Sequence, residues 1–187
     1  MGHAVMFLGY KPSFAEKPGD LENAGFIILP GVGSAKATME SLAEMDLLNP
    51  LEDMVLHKKT LFLGICVGLQ ILFEHSQEGD AQCLGWLKGR VKKFDAGKVR
   101  VPQMGWNKTR FVKNVFPDIK EDYFYFVNSY HAVPENERDI WGTADYNGAF
   151  AAAVQRENIF ATQFHVEKSG EAGLKILNSF LSAGRGG

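Results

Sequence analysis

The first half of the chain alternates short apolar runs with stretches of helical periodicity. Residues 26–29 form an apolar run that ends in the turn residues 30–33, which predicts a buried strand followed by a turn. Ser34 is a suitable cap for a helix that extends to about Met45, because its side-chain oxygen can accept a backbone N–H of the first turn. Residues 48–57 continue the helical pattern after that helix.

A second apolar run and a second helix follow. Residues 61–65 predict another buried strand, and residues 67–73 predict a helix that begins directly after Cys66. Apolar strands that alternate with helices are typical of a parallel sheet covered by helices on both faces. We therefore expect an α/β fold of the flavodoxin-like type in this half of the chain.

The second half carries shorter β-like runs separated by turns, which predict an antiparallel or mixed extension of the sheet. These runs occupy residues 90–94, 105–111, 123–128, 140–146, 150–154 and 160–164. A final helix is predicted at residues 169–181, where apolar positions recur at helical spacing. The whole pattern predicts a single domain over residues 1–187, because domains usually contain ~100–200 residues.

Composition narrows the classes of function. Lys plus Arg total 20 and Asp plus Glu total 22, and the resulting net charge of −2 argues against a chain that grips nucleic acid or an anionic membrane. The longest strongly apolar stretch, residues 61–73, is shorter than the ~18 residues that span a membrane. Two cysteines do not make a disulfide framework, which favours a reducing compartment. We therefore expect a cytoplasmic protein that binds neither nucleic acid nor a membrane.

Cys66 is the candidate nucleophile. It lies between a predicted strand and a predicted helix, with Gly64 and Gly68 on either side, and this pattern resembles a nucleophile elbow with cysteine in place of serine. The helix start directs N–H groups toward the sulfur, which favours the thiolate, and the N–H of Val67 is placed to stabilise an oxyanion. A structural cysteine is the alternative, because free cysteine also serves as a small core hydrophobe.

His165 is the candidate base for that nucleophile. It ends a β-like run, and a parallel sheet presents its functional site at the C-terminal ends of its strands. Glu167 can orient the imidazole as the third member of a triad. A surface pair of His165 and Glu167 is the alternative on local sequence alone, and the presence of the cysteine elbow favours the triad.

The glycine-bracketed turn at residues 30–33 is a candidate second oxyanion donor, since its backbone can approach a ligand closely. A plain tight turn is the alternative. Outside the pair of His165 and Glu167, no His, Cys or acidic residues show the spacing of metal ligands, so we expect no metal site. Cys83 has no comparable context and is expected to be structural.

Together these pieces resemble the class I (triad) glutamine amidotransferases. Residues 64–70 are similar to the nucleophile motif of that family, residues 164–169 to its His-x-Glu motif, and the turn at Pro30 to its oxyanion strand. Residues 102–107 and 125–130 resemble segments of those members that work with a (β/α)8 cyclase of the HisF type. The resemblance covers the chain from about Leu8 to its last residue.

The resemblance implies hydrolysis of L-glutamine to glutamate and ammonia without a cofactor. Cys66 attacks the side-chain amide, His165 shuttles protons, and Glu167 holds His165. The expected contacts to the oxyanion and to glutamine are Gly31, Val32, Gly33, Val67, Gln70 and Ser129.

The resemblance also implies a partner. In that branch of the family the ammonia passes to the HisF-type cyclase in a heterodimer, which makes imidazole glycerol phosphate and an aminoimidazole carboxamide ribotide in histidine biosynthesis. The positions expected to face the cyclase are Met104, Trp106, Tyr125 and Lys168. Three alternatives stay open: a paralogue that supplies ammonia for amidination of surface sugars, another ammonia-channelling enzyme or free cysteine hydrolase, and a non-catalytic partner-binding subunit.

Several positions depart from the family pattern. Val166 stands where the family usually has proline, which would loosen the turn that holds His165, and Asn128 and Gln103 each replace a usual residue. Residues 1–8 resemble only the end of the first helix of the family, and residues 9–12 resemble the entry to the next strand. We expect that the first strand and most of the first helix are missing. A late start, or a poorly folding chain with a gap in the middle of its sheet, is the resulting prediction.

Overall fold

The computed structural model describes residues 1–116 and 119–183, so residues 117, 118 and 184–187 of the predicted domain lie outside the described part. Its helices are α1 (Gly2–Phe7), α2 (Ala35–Glu44), α3 (Leu48–Glu52), α4 (Val67–Gln70) and α5 (Gly170–Ala183). A π-helical turn, Asp53–His57, extends α3, and 3-10 turns lie at Pro18–Leu21, Glu137–Asp139 and Val166–Lys168.

The strands in the described residues belong to one curled sheet. They are β1 (Phe26–Gly31), β2 (Leu61–Cys66), β3 (His75–Ser76), β4 (Ala81–Gln82), β5 (Gly89–Lys93), β6 (Gln103–Phe111), β7 (Glu121–Asn128), β8 (Tyr130–Pro134), β9 (Ile140–Asp145), β10 (Ala149–Arg156) and β11 (Ile159–Thr162). The main path of the sheet runs β1-β2-β11-β10-β8-β5-β3-β4, while β9 pairs with β10, β6 with β9, and β7 with β6.

The parallel part of the sheet positions the site. Strands β1, β2 and β11 are neighbours and run parallel, with Gly31 opposite Cys66 and Thr162 opposite Ile65. Their C-terminal ends therefore meet at one edge of the sheet. From β11 onward the sheet continues through antiparallel pairs of β10 with β11, β8 and β9. The predicted α/β fold with an antiparallel or mixed extension is confirmed.

Helices cover both faces of the parallel strands. The ring of Phe180 on α5 lies 5.9 Å from the ring of Phe26 on β1. Gly31, at the other end of β1, packs against Val67 at the start of α4. Successive side chains of a strand point to opposite faces, and Phe26 and Gly31 are an odd number of residues apart. Helices α5 and α4 therefore lie on opposite faces of β1.

One predicted helix is shorter than expected. Residues 67–73 were assigned to a helix by their apolar pattern, but α4 ends at Gln70. The carbonyl oxygens of Ile71 and Phe73 accept hydrogen bonds from the N–H groups of Leu84 and Gly85, at 2.9 Å each. The backbone at these residues is therefore bonded to a neighbouring segment, and the helix does not continue.

The gap predicted in the middle of the sheet does not lie between β1, β2 and β11. The registers of β1 with β2 and of β2 with β11 are continuous, so the backbone groups between these strands are paired. Strand β1 has one strand neighbour in the described part of the chain and forms an end of the sheet. Residues 9–12, which were expected to enter a strand, belong to no strand.

Within residues 1–116 and 119–183, no helix is both long enough and apolar enough to cross a membrane.

Phe180 offers a test of the packing between α5 and the sheet. It is fully buried, and its ring lies 5.8 Å from that of Phe160 on β11 as well as 5.9 Å from that of Phe26. We expect Phe180→Ala to lower the free energy of unfolding by about 3–5 kcal/mol, because the substitution leaves a cavity. Phe7→Ala, at a ring that is 77% exposed, should change it by less than about 0.5 kcal/mol. Denaturant unfolding followed by circular dichroism measures both, and equal effects would contradict this packing.

Candidate active site

Cys66 lies in a strained turn between β2 and α4. Its φ of 57° and ψ of −105° are unusual for a residue with a side chain. A β-carbon on Gly64 would lie 2.4 Å from the carbonyl oxygen of Gly68, and one on Gly68 would lie 2.0 Å from that of Leu29. Only glycine fits at either position, so the spacing seen in the sequence reflects a steric requirement of the turn.

His165 and Glu167 lie beside this turn. His165 follows β11 and is 3% exposed, and its Nδ1 lies 2.9 Å from Oε1 of Glu167. Its backbone N–H donates to the carbonyl of Tyr125 on β7, at 3.0 Å. The structure therefore brings together the three residues of the predicted triad, each from the C-terminal side of a parallel strand.

The groups of the triad shift one another's pKa values. Burial opposes a charge on His165, but the hydrogen bonds and charges of Cys66 and Glu167 outweigh burial and raise its pKa to about 9. Burial acts to raise the pKa of Glu167, but its hydrogen bond with His165, a backbone hydrogen bond and nearby positive charge together outweigh burial and lower the pKa. At neutral pH the imidazole is thus protonated and paired with an ionised carboxylate.

A cavity of about 250 Å³ opens at the sulfur of Cys66. Among the residues predicted to contact the oxyanion or glutamine, four line it: Gly33, Val67, Gln70 and Ser129. The other two do not belong to its lining, since Gly31 is buried against Val67 and Val32 is 83% exposed. The remaining lining residues are Cys66, Glu78, Pro102, Val127, Asn128 and Tyr130.

Two residues at the site, Glu78 and Gln163, were not predicted from the sequence. Glu78 lies in the loop between β3 and β4, and its Oε2 accepts a hydrogen bond from the N–H of Ala35, at 2.9 Å. Gln163 is fully buried, and its Nε2 donates to Sγ of Cys66 at 3.6 Å. Glu78 carried no local signal, because a glutamate in a polar loop looks like any solvated side chain. The available signal for Gln163 was a polar residue within the apolar run at residues 160–164, two positions before His165.

The family can be assigned from the sequence as a whole. The model of the family "Glutamine amidotransferase class-I" matches residues 2–183 of the chain. The chain belongs to this family.

The amidotransferase has curated relatives at about 40% identity. The imidazole glycerol phosphate synthase subunit HisH of Leptospira interrogans is 40% identical over 182 residues, which cover 94% of this chain and 89% of the relative. The subunit of the same name from Neisseria meningitidis serogroup B is 42% identical over 175 residues, covering 88% and 82%. The chloroplastic imidazole glycerol phosphate synthase hisHF of Arabidopsis thaliana is 39% identical, covering 96% of this chain and 31% of the relative.

Solved structures share the fold of this amidotransferase. A crystal structure described as a glutamine amidotransferase superposes with a TM-score of 0.77, at 17% identity, over 98% of this chain and 91% of the other. The glutaminase domain of Trypanosoma brucei CTPS with bound acivicin gives a TM-score of 0.63 at 12% identity, over 98% and 84%.

Two departures from the family pattern lie at the site. Val166 is buried and begins the 3-10 turn Val166–Lys168, and the 2.9 Å contact between His165 and Glu167 is nevertheless present. The expected loosening of this turn is not observed. Asn128 lines the cavity, and its Nδ2 donates to the carbonyl of Tyr130 at 2.9 Å.

Three of the residues predicted to face a partner, Met104, Trp106 and Tyr125, lie on one face of the paired strands β6 and β7. Trp106 on β6 pairs with Tyr125 on β7, and their rings lie 6.0 Å apart. Met104 and Trp106 are 66% and 57% exposed, and Lys168 is exposed. Exposed apolar side chains grouped in this way are typical of an interface.

The remaining predictions for the site concern Cys83 and possible metal ligands. Burial raises the pKa of Cys83 to about 11, so its thiol stays protonated at neutral pH. In the described ranges 1–116 and 119–183, no three His, Cys, Asp or Glu side chains are grouped as metal ligands.

The charge state of His165 is directly testable. We expect the imidazole to titrate near pH 9 by NMR, and to titrate at a lower pH in Cys66→Ala and in Glu167→Gln, because both partners raise its pKa. A His165 pKa that neither substitution lowers would contradict the described pairing.

The raised pKa has a consequence for stability. The folded state holds the proton of His165 more tightly than the unfolded chain, whose imidazole titrates near 6.5. The resulting contribution to the free energy of unfolding is complete below pH 6.5 and is lost as the pH rises through about 9. Comparison with His165→Gln isolates this contribution, which is on the order of 3 kcal/mol.

Proposed function

We propose that this amidotransferase hydrolyses glutamine to glutamate and ammonia, and delivers the ammonia to a HisF-type (β/α)8 cyclase in histidine biosynthesis. The observation that carries the proposal is the sulfur of Cys66 at the floor of a small cavity, paired with a protonated His165. Both cysteines are free thiols, which fits a reaction in the reducing cytoplasm.

The reaction begins with attack of the Cys66 thiolate on the side-chain carbonyl carbon of glutamine. The negative charge that develops on the carbonyl oxygen lies near the N-terminus of α4, where the N–H of Val67 is available, and near the turn that includes Gly33. We assign the oxyanion site to these two segments, with Gly31 and Val32 supplying backbone at the second one.

His165 then acts as the acid. The leaving group must depart as ammonia, so it needs a proton, and the pKa of about 9 keeps the imidazole protonated at neutral pH. Departure of ammonia leaves a γ-glutamyl thioester on Cys66. The neutral imidazole next takes a proton from water, the hydroxide attacks the thioester, and glutamate is released with the thiolate restored. Glu167 holds the ring orientation through both steps.

Recognition of glutamine falls to polar groups in the cavity. Oε1 of Gln70 is buried and has no hydrogen-bond partner within residues 1–116 and 119–183, and Ser129 also belongs to the lining. Glu78 supplies a carboxylate, which is the counter-charge that the α-ammonium of a free amino acid requires. We therefore add Glu78 to the residues that hold the substrate.

The partner surface is continuous with the cavity. Met104 on β6 pairs with Val127 on β7, and Val127 also lines the cavity, with its carbonyl oxygen 3.8 Å from Sγ of Cys66. Ammonia released at the sulfur therefore emerges beside the apolar face of Met104, Trp106 and Tyr125. Lys168 is exposed at the end of the 3-10 turn that follows His165. The HisH relatives are named as subunits of imidazole glycerol phosphate synthase, and the name of the hisHF relative combines the designations HisH and HisF. These names support a HisF-type cyclase as the occupant.

Catalysis and assembly should separate in two variants. In the presence of a HisF-type cyclase and its nucleotide ligand, Cys66→Ala should reduce glutamate release by at least about 10³-fold, since removing the nucleophile removes the covalent step. It should leave the complex intact in analytical ultracentrifugation. Trp106→Ala should act mainly on assembly and weaken the complex at least about tenfold, because buried aromatic anchors dominate interfaces.

Two results would contradict the proposal. Glutamate release that persists in Cys66→Ala would exclude this nucleophile. A wild-type complex that forms but releases no glutamate would favour a non-catalytic binding subunit.

Glu78 can be tested by an isosteric change. Glu78→Gln keeps an oxygen for the N–H of Ala35 but removes the charge, so we expect the KM for glutamine to rise about tenfold or more with little change in kcat. Glu44→Gln, at an exposed position on α2, is the matched control and should leave both constants unchanged. An unchanged KM in Glu78→Gln would remove this residue from the substrate site.

A further inference from the structure

We propose that Gln163 is a positioning residue for the nucleophile, whose side-chain amide donates to the sulfur of Cys66 and holds it as a thiolate. This inference rests on the proposed function, since it assigns a role in the same site. The Nε2–Sγ distance is 3.6 Å, and both side chains are buried. The amide belongs to neither the triad nor the cavity lining.

The direction of this hydrogen bond is fixed by a carbonyl group two side chains away. The backbone oxygen of Tyr130 can only accept, and Nε2 of Gln70 donates to it at 3.2 Å. The same Nε2 also donates to Oε1 of Gln163, at 3.1 Å. Gln163 must therefore turn its own NH₂ group toward the sulfur. Reversing Gln70 would place its Oε1 against the carbonyl oxygen of Tyr130, and reversing Gln163 would place its NH₂ group against that of Gln70.

Gln163 is also held rigidly. It follows directly on β11 with no exposed surface, and its backbone N–H donates to the carbonyl of Ala152 on β10, at 2.8 Å. Because the donor does not move, its bond to a negatively charged sulfur is not weakened by the ordering of a mobile group. His165 and Gln163 thus donate to the sulfur together, and the thiolate is bonded to two fixed groups.

The arrangement links substrate recognition to the nucleophile. Gln70 lines the glutamine cavity and is the residue that sets the orientation of Gln163. Glutamine binding and thiolate positioning therefore depend on one shared hydrogen bond. A residue that served only to fill the core would have no such requirement for an amide.

Alkylation of Cys66 by iodoacetamide in the isolated chain tests the donor. Gln163→Leu keeps the size of the side chain and removes the amide, so we expect the rate of Cys66 alkylation at neutral pH to fall about tenfold. Gln163→Glu should lower this rate at least as much, because a carboxylate repels the thiolate. Gln103→Leu is the matched control, since Gln103 is also a buried amide and makes no described contact with Cys66. Mass spectrometry of the Cys66 peptide separates this signal from Cys83.

Kinetics in the complex with the cyclase separate positioning from binding. Gln163→Leu should lower kcat about tenfold while KM changes less than about threefold. An unchanged rate of Cys66 alkylation in a folded Gln163→Leu would overturn the proposal. If the wild-type complex released no glutamate, the proposed function would fail, while the alkylation rate would still report on the hydrogen bond.

A measurement on the wild-type chain covers the case in which the variants do not fold. The side-chain NH₂ resonances of Gln163 should move downfield in ¹⁵N-edited NMR spectra as the thiolate forms, and should move back when Cys66 is alkylated. Those of Gln103 should follow neither change. Gln163 resonances that are insensitive to both would overturn the proposal.

Discussion

The approach of β1 to the first turn of α4 is the contact on which the site depends. The carbonyl oxygen of Leu29 occupies the space where residue 68 would carry a β-carbon. This approach is compatible only with glycine, and it forces the chain to reverse at Cys66 with a positive φ. The strain of the turn is balanced by the burial of β2 between β1 and β11. The position of the sulfur thus follows from backbone packing rather than from its own side-chain contacts.

Around this fixed sulfur the protein buries a set of ionised groups. Burial penalises each charge singly, and the opposite charges and donors around these groups offset the penalty. His165 is paired with Glu167, and Gln163 donates to Cys66. Oε2 of Glu167 has no hydrogen-bond partner in the described part of the chain. The chemistry therefore depends on neighbours far apart in sequence, which parallel β2 and β11 bring to one edge of the sheet.

The distinction between local and long-range contacts explains what the sequence alone could predict. Features with a local physical cause could be predicted: the strand at residues 61–65, the glycines beside Cys66 and the pairing of His165 with Glu167. Glu78 was not, because its place in the cavity depends on contact between the β3–β4 loop and the start of α2. The short α4 was mispredicted for the same reason, since distant N–H groups bond to the carbonyls of Ile71 and Phe73, where the helix was expected to continue. Long-range pairing decides such cases, and apolar periodicity does not record it.

The main chain of Tyr125 has a consequence for how this site can diverge. Its carbonyl accepts from the N–H of His165, and its N–H donates to Oγ of Ser169, which in turn donates to the carbonyl of His165. The catalytic loop is thus anchored to β7 by peptide groups, which every amino acid except proline supplies in full. The outward side chains of β6 and β7 can consequently be exchanged during evolution while the imidazole keeps its place. A new docking partner can be acquired without rebuilding the reaction centre beneath it.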